Sequence, residues 1–175
     1  MKKIGIIIGS LHKESINRKV AEAFIKMGHP TLNFSVIDIS QLPLFSEDLE
    51  IKTPAAVETF RAAIRSNDLI LIMTPEYNRS IPGVLKNALD WGSRPYAQGA
   101  FIGKQAAIAG VALGSIGTAA AQVHLRSILS CIGLTLIRQP EMYLTWKPDM
   151  LTDEGLPRDP KTVAFFNKFL EALAQ

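Results

Sequence analysis

The chain has 175 residues, of which 47% are hydrophobic and 20% are charged. This predicts one globular domain over residues 1–175, and since no apolar run approaches the ~20 residues that cross a bilayer, we expect no membrane partner and a cytoplasmic protein. The net charge is +3, from 19 basic and 16 acidic residues scattered along the chain, which gives no reason to expect a nucleic-acid partner.

Strand-like and helix-like patterns alternate along the chain. In chain order we predict a strand at 4–8, a helix ending at Gly28, a strand at 34–39, a helix with Thr53 as N-cap and Pro54 in its first turn, a strand at 69–73, a short helix started by Pro82, a strand at 105–111, a helix at 118–132, a strand at 134–137 and a helix opened by Asp159 and Pro160. Strands separated by helices, with some strands apolar at every position, are typical of a parallel sheet covered on both faces. Two layouts remain open at this point, flavodoxin-like and Rossmann.

The sequence offers few residues for chemistry by the protein alone. Cys131 is the single cysteine, which excludes an intrachain disulfide, and its neighbours Leu129 and Ile132 predict a buried helical thiol. No two of the three histidines have a spacing that would share a metal, so we expect no metal site. Redox chemistry would therefore have to come from a bound cofactor.

A polar loop follows the first strand, where a helix begins. Ser10, Ser15 and Asn17 bring hydroxyl and amide donors to the free N–H groups of the helix start, a combination that favours an anion. A dinucleotide fold would need a glycine-rich turn here, but only Gly9 is present, so the same test rejects Asp38 as a ribose ligand. A P-loop motif is also absent. The loop predicts a monophosphate site, although an ordinary capped helix start would use the same residues.

Two further loops follow strands at the same edge of the predicted sheet. In residues 74–83, Tyr77 and Asn78 combine an aromatic ring with an amide, and the backbone N–H groups of 76–78 are suited to the polar edge of a planar heterocycle. In residues 110–117, closely spaced glycines let the backbone approach a ligand. A turn built from turn-forming residues is the alternative explanation for 74–83.

Residues 9–21 resemble the phosphate loop of the NAD(P)H-dependent FMN reductase family, whose pattern is G-S-x-R-x-x-S-x-N-x-x-x-A. Residues 75–91 are similar to the flavin-edge loop of that family nearly residue for residue. The match extends to 38–45 and 114–118, so that it covers the chain from Ile4 to about Pro140. The family also contains quinone, azo-dye and chromate reductases.

The resemblance implies a flavodoxin-like α/β fold, a doubly wound five-stranded parallel sheet of order 2-1-3-4-5 with helices on both faces. It implies FMN held without a covalent bond, with NADH or NADPH as co-substrate. The FMN phosphate is expected at the first loop and the edges of the isoalloxazine at the other two. The residues so assigned to cofactor binding are Ser10, His12, Ser15, Ile16, Asn17, Pro75, Glu76, Tyr77, Asn78, Ser80, Gly114, Ser115 and Gly117.

The chain departs from the family pattern at His12, where the family usually has arginine. A neutral imidazole lacks the fixed charge and the forked donors that arginine offers a phosphate. Glu14 would oppose a phosphate dianion unless it points into solvent, while Lys13 would compensate. We therefore expect FMN affinity somewhat below that of arginine-bearing relatives.

The resemblance implies hydride transfer from the nicotinamide to the flavin and then two-electron reduction of a small-molecule acceptor: a quinone, a flavin, an azo dye or a metal oxyanion. No side chain is expected to act as acid, base or nucleophile. The resemblance also implies a homodimer or homotetramer, with 84–91, Tyr96 and Phe101 as interface or, equally, as core. The alternatives are a non-enzymatic FMN-binding module and a flavodoxin-type electron carrier, and the basic composition argues against the latter.

Overall fold

The computed structural model describes residues 1–175 and contains one parallel sheet between two layers of helices. Its elements are β1 (Lys2–Ile8), α1 (Ile16–Met27), β2 (Leu32–Ile37), a 3₁₀ turn (Glu47–Glu50), α2 (Ala55–Arg65), β3 (Leu69–Met73), α3 (Gly83–Gly92), β4 (Gln105–Ala112), α4 (Ala119–Cys131), β5 (Thr135–Leu136), β6 (Met142–Thr145) and α5 (Pro160–Ala174). The strand order β2-β1-β3-β4-β5 is the flavodoxin-like order. The predicted fold class is therefore confirmed.

Alternate residues of the central strands face opposite helical layers. Ile7, Ile70 and Ile72 pack with α2, α3 and α4, whereas Ile6 and Leu71 pack with α1 and α5. Since successive side chains of a strand point to opposite faces, strands covered on both sides must be apolar at every position. β3 meets this requirement completely, because all its residues are buried.

The last strand position differs from the prediction, because two short strands occupy it. β5 pairs with Gln105 and Ala106 at the start of β4, and β6 pairs with the last residues of β4, from Ala109 to Ala112. Pro140 lies between the two strands, and a proline has no N–H to donate to a ladder. The prediction missed β6.

Two local predictions were wrong. Pro54, in extended backbone, is itself the N-cap residue of α2, while the Thr53 hydroxyl donates to the Glu50 carbonyl. Cys131, predicted to be buried, is exposed at the end of α4. It lies two residues from buried Leu129, and at about 100° per residue that places the thiol on the opposite side of the helix.

Most of the apolar residues considered for a subunit interface belong to the core. Trp91 and Phe101 are fully buried, and the Trp91 indole N–H donates to the Pro43 carbonyl at 2.8 Å. Tyr96 alone of the named aromatics is exposed. None of the helices combines the length and the hydropathy that a membrane span requires.

Candidate active site

A cleft of about 500 Å³ opens at the carboxyl ends of β1, β3 and β4. These strands are neighbours in the sheet, so the loops that follow them meet at one edge. The residues that line the cleft are Ser10, His12, Glu14, Ser15, Ile16, Asn17, Pro75, Glu76, Tyr77, Val111, Ala112, Leu113 and Gly114.

The first loop presents hydrogen-bond donors at the start of α1. Ser15 is the N-cap, and its Oγ accepts the Arg18 N–H at 3.3 Å. The Oγ of Ser10 accepts the His12 N–H at 3.3 Å in the same way. Because each hydroxyl oxygen is already used as an acceptor, its O–H remains available to donate into the cleft.

Two backbone groups add to this donor set. The N–H groups of Ile16 and Asn17 belong to the first turn of α1 and have no acceptor within the protein. Such orphan donors, at the positive end of the helix dipole, favour a bound anion. The negative charge nearby is offset, since Glu14 pairs with Lys19 at 3.1 Å and is largely exposed. His12 is also exposed.

Asn17 has a different role from the one predicted for its side chain. Its Nδ2 donates to the Val111 carbonyl at 2.9 Å, and its Oδ1 accepts the Val111 N–H at 3.1 Å. β3 ends at Met73, which pairs with Ala109, so Val111 lies beyond the reach of that strand. The Asn17 amide satisfies the backbone there, and the main-chain N–H of Asn17 stays without a partner in the protein.

The second loop is a tight turn. Tyr77 and Ser80 exchange both backbone hydrogen bonds at 3.0 Å, and the two residues between them, Asn78 and Arg79, have left-handed backbone with φ of 51° and 63°. The Tyr77 N–H is thus occupied, contrary to its predicted availability. The N–H groups of Glu76 and Asn78 have no partner in the protein.

Glu76 and Ser80 attach this turn to α4. The Glu76 side chain is only 11% exposed, and its Oε2 accepts the Ala121 N–H at 3.0 Å. Ala121 is in the first turn of α4, whose N-cap Thr118 makes no side-chain capping bond, so the glutamate satisfies a helix-start donor from outside the helix. The Ser80 hydroxyl and His124 Nδ1 share a hydrogen bond at 3.0 Å.

The third loop needs its glycines for conformation and close packing. Gly117 has φ of 63°, and a Cβ there would lie 3.2 Å from the backbone of Tyr143 and Leu144. At Gly110 a Cβ would overlap the Thr118 hydroxyl and the Thr74 carbonyl. Gly114, in contrast, lines the cleft with nothing near its missing side chain.

The structure brings most of the predicted residues together. Nine of them line the cleft: Ser10, His12, Ser15, Ile16, Asn17, Pro75, Glu76, Tyr77 and Gly114. Four do not: Asn78, Ser80, Ser115 and Gly117. Val111, Ala112 and Leu113 also line the cleft; they lie in the loop 110–117 that was predicted to approach a ligand, but they were not named as site residues, although their position at the end of a buried strand is a usable signal.

This donor set fits flavin mononucleotide. Two hydroxyls and two N–H groups suit a phosphate, since a hydrogen bond to a charged group contributes roughly 1.5 to 3 kcal/mol. The cleft volume lies within the range of about 300 to 1,000 Å³ usual for cofactor sites. No group of histidine, cysteine, aspartate or glutamate side chains is placed to hold a metal ion.

Comparisons with known proteins agree with this chemistry. A family model described as NADPH-dependent FMN reductase matches residues 2–147. A 2-hydroxy-1,4-benzoquinone reductase from a Burkholderia species is 40% identical over 172 residues, which are 98% of this chain and 94% of that protein. An NAD(P)H-dependent FMN reductase from Pseudomonas aeruginosa is 40% identical over 174 residues, or 99% of this chain and 93% of that protein.

A solved structure is similar over almost the whole chain. It is FerB, a flavoenzyme NAD(P)H:(acceptor) oxidoreductase from Paracoccus denitrificans, with a TM-score of 0.95 and 37% identity, covering 99% of this chain and 96% of that one. The expected activity and cofactors are thereby confirmed, and the chain belongs to the NADPH-dependent FMN reductase family, as an oxidoreductase that uses FMN and NAD(P)H.

Proposed function

We propose that this protein is an NAD(P)H:quinone reductase whose FMN lies in the cleft with its phosphate at the start of α1. The observation that carries the proposal is the first loop, where two hydroxyls and two unpartnered N–H groups line one end of the cleft. A phosphate at that end leaves the rest of the cleft, toward Pro75, Tyr77 and Gly114, for the flavin ring.

The protein's part in the reaction is to bind, orient and stabilise charge. FMN, when bound, supplies two-electron chemistry by accepting hydride and passing electrons on. Glu76 lines the cleft, and its unpartnered N–H is available to donate to the polar edge of the ring, where it would stabilise negative charge after reduction. Because the Glu76 side chain is fixed to α4, this donor is held in place before the reaction starts.

A quinone is the acceptor that we propose. The relative from Burkholderia is named for reduction of a benzoquinone, and relatives at 40 to 41% identity from Pseudomonas putida are named quinone reductases. The cleft suits a planar acceptor, since its lining includes the half-exposed ring of Tyr77 and the apolar side chain of Leu113. Solvent reaches Tyr77 and Leu113, so water can supply the proton that reduction of a quinone consumes. No side chain is therefore needed as an acid or base.

We also propose that the protein forms a homodimer or homotetramer through the surface beside the cleft. Leu113, Ile116 and Val123 are large apolar side chains that are 77%, 49% and 62% exposed. Leu113 lines the cleft and the other two follow it within ten residues of the chain, so this segment is the part of the surface that we assign to the interface. Light scattering that returned the mass of a single chain would contradict this.

Steady-state kinetics tests the proposed acceptor. The FMN-loaded protein is assayed with NADH and with NADPH against benzoquinone, free FMN, an azo dye and chromate. We expect kcat/KM for benzoquinone to exceed that for each other acceptor by at least roughly tenfold, a difference of about 1.4 kcal/mol in transition-state stabilisation. A comparable or higher kcat/KM for another acceptor would overturn the quinone assignment while leaving the family unaffected.

A further inference from the structure

A second cleft, of about 240 Å³, lies at the carboxyl ends of β1 and β2 and has no part in the reaction described so far. It shares Ser10 with the candidate active site, so the two clefts meet at the end where the FMN phosphate is proposed to bind. The residues that line it are Ile8, Ser10, Leu11, Arg18, Val36, Ile37, Asp38, Ile39 and Ser40.

The cleft contains a cation without a partner. Arg18 is half-buried, and its guanidinium makes no hydrogen bond and has no carboxylate within 4.0 Å. Lys19, the next residue on the same helix, is by contrast paired with Glu14. A guanidinium left free in a concave site is suited to a phosphate, which it binds through forked donors.

The cleft also contains a fixed acceptor. Asp38 follows the end of β2, and its carboxylate is held by Ser40, whose N–H and hydroxyl donate to the two oxygens at 2.8 and 2.9 Å. Each oxygen keeps a further lone pair for a ligand hydroxyl. A carboxylate at the end of the second strand is where dinucleotide-binding folds hold the hydroxyls of an adenosine ribose.

Apolar surface completes the cleft. Leu11 is 50% exposed and Val36 is 45% exposed, although both are large aliphatic residues. Together with the buried isoleucines around them, they offer a flat purine a surface to cover. The cleft therefore combines a phosphate-binding cation, an acceptor for ribose hydroxyls and apolar walls.

We propose that this cleft binds the adenosine 5′-phosphate unit of a dinucleotide, with Arg18 at the phosphate, Asp38 at the ribose and Leu11 and Val36 at the purine. The chain lacks the glycine-rich turn that holds the phosphates in dinucleotide folds, and on that ground Asp38 was rejected as a ribose ligand. Because the free Arg18 guanidinium offers a phosphate contact in the same cleft as Asp38, that rejection is reversed here. Two ligands contain an adenosine 5′-phosphate unit. FAD would extend into the second cleft from the active site, an arrangement that rests on the proposed position of the FMN phosphate. Alternatively, NADH would place its adenosine half in the second cleft.

The flavin arm of the test uses protein freed of flavin. Dissociation constants for FMN and FAD are measured by flavin fluorescence for the wild type, Arg18→Gln, Asp38→Asn and the control Lys26→Gln, which removes the same charge from the far end of the same helix, outside both clefts. If FAD is the source, it binds the wild type more tightly than FMN, and Arg18→Gln reduces that advantage roughly tenfold while FMN affinity stays unchanged.

The nicotinamide arm uses the FMN-loaded protein and compares NADH with reduced nicotinamide mononucleotide, which lacks the adenosine half. If NADH is the source, Arg18→Gln and Asp38→Asn raise its KM roughly tenfold at unchanged kcat, and the KM of the mononucleotide does not move. In this case the wild type also prefers NADH to NADPH, because the Asp38 carboxylate repels the 2′-phosphate on the adenosine ribose of NADPH. Asp38→Asn reduces that preference.

The outcomes separate this inference from the proposed function. Equal FAD affinities and equal NADH KM values in the wild type and both cleft variants would overturn the inference, as would an equal effect of Lys26→Gln. Failure of the wild type to bind FMN would overturn the proposed active site and would not by itself bear on the second cleft. If FMN failed to bind, a calorimetric titration with 5′-AMP, compared between the wild type and Arg18→Gln, would still judge the second cleft.

Discussion

At the scale of single residues, Asn17 shows how a side chain can complete a sheet. Its amide both donates to and accepts from Val111, and the side chain is almost completely buried. Asn17→Ala would leave a backbone N–H and a carbonyl of β4 without partners, at a cost of about 2 to 4 kcal/mol in the free energy of unfolding. Urea denaturation measures that loss.

The matched control is Asn33→Ala, which truncates an exposed asparagine in β2 and should change stability by no more than about 0.5 kcal/mol. A loss of similar size in both variants would show that the contact with Val111 contributes little. Sequence reasoning identified Asn17 as a polar residue at the cleft, but its partner is 94 positions away. No local pattern contains that information.

At the scale of elements, the second loop is positioned by α4 rather than by its own sequence. The buried Glu76 bond to Ala121 is the principal link, while Arg79, 70% exposed, lies 3.8 Å from the other carboxylate oxygen. Exposed ion pairs contribute little, so the bond to the helix start decides the effect of a mutation. Glu76→Ala should weaken FMN binding roughly tenfold and destabilise the protein by about 1 to 2 kcal/mol.

Glu76→Gln is the conservative variant, since its amide oxygen can still accept the Ala121 N–H, and Arg79→Ala tests the exposed ion pair. Both should stay within about threefold of wild-type FMN affinity, measured by fluorescence titration. If Arg79→Ala lost as much affinity as Glu76→Ala, the ion pair and not the helix contact would hold the loop.

At the scale of the whole molecule, hydrophobic periodicity predicted the fully buried strands of the sheet but not the break in its last strand. β3 was predicted with its observed bounds because every residue is apolar, whereas the fifth position is split at Pro140 into strands of two and four residues.

We propose that residues 1–175 form one folding unit, because both helical layers pack on the same strands. The loops were located by their position after strands, but their mutual contacts arise only in the folded chain.

The start of α1 is the central element of the proposed active site, because it is where we expect the phosphate of FMN to bind. Binding of FMN and of riboflavin, which lacks the phosphate, to flavin-free wild type and to the Ser10→Ala, Ser15→Ala double variant tests this expectation most directly. We predict that the wild type binds FMN far more tightly than riboflavin, and that the double variant reduces this advantage roughly 100-fold with riboflavin affinity unchanged. An unchanged ratio of the two affinities would contradict the account.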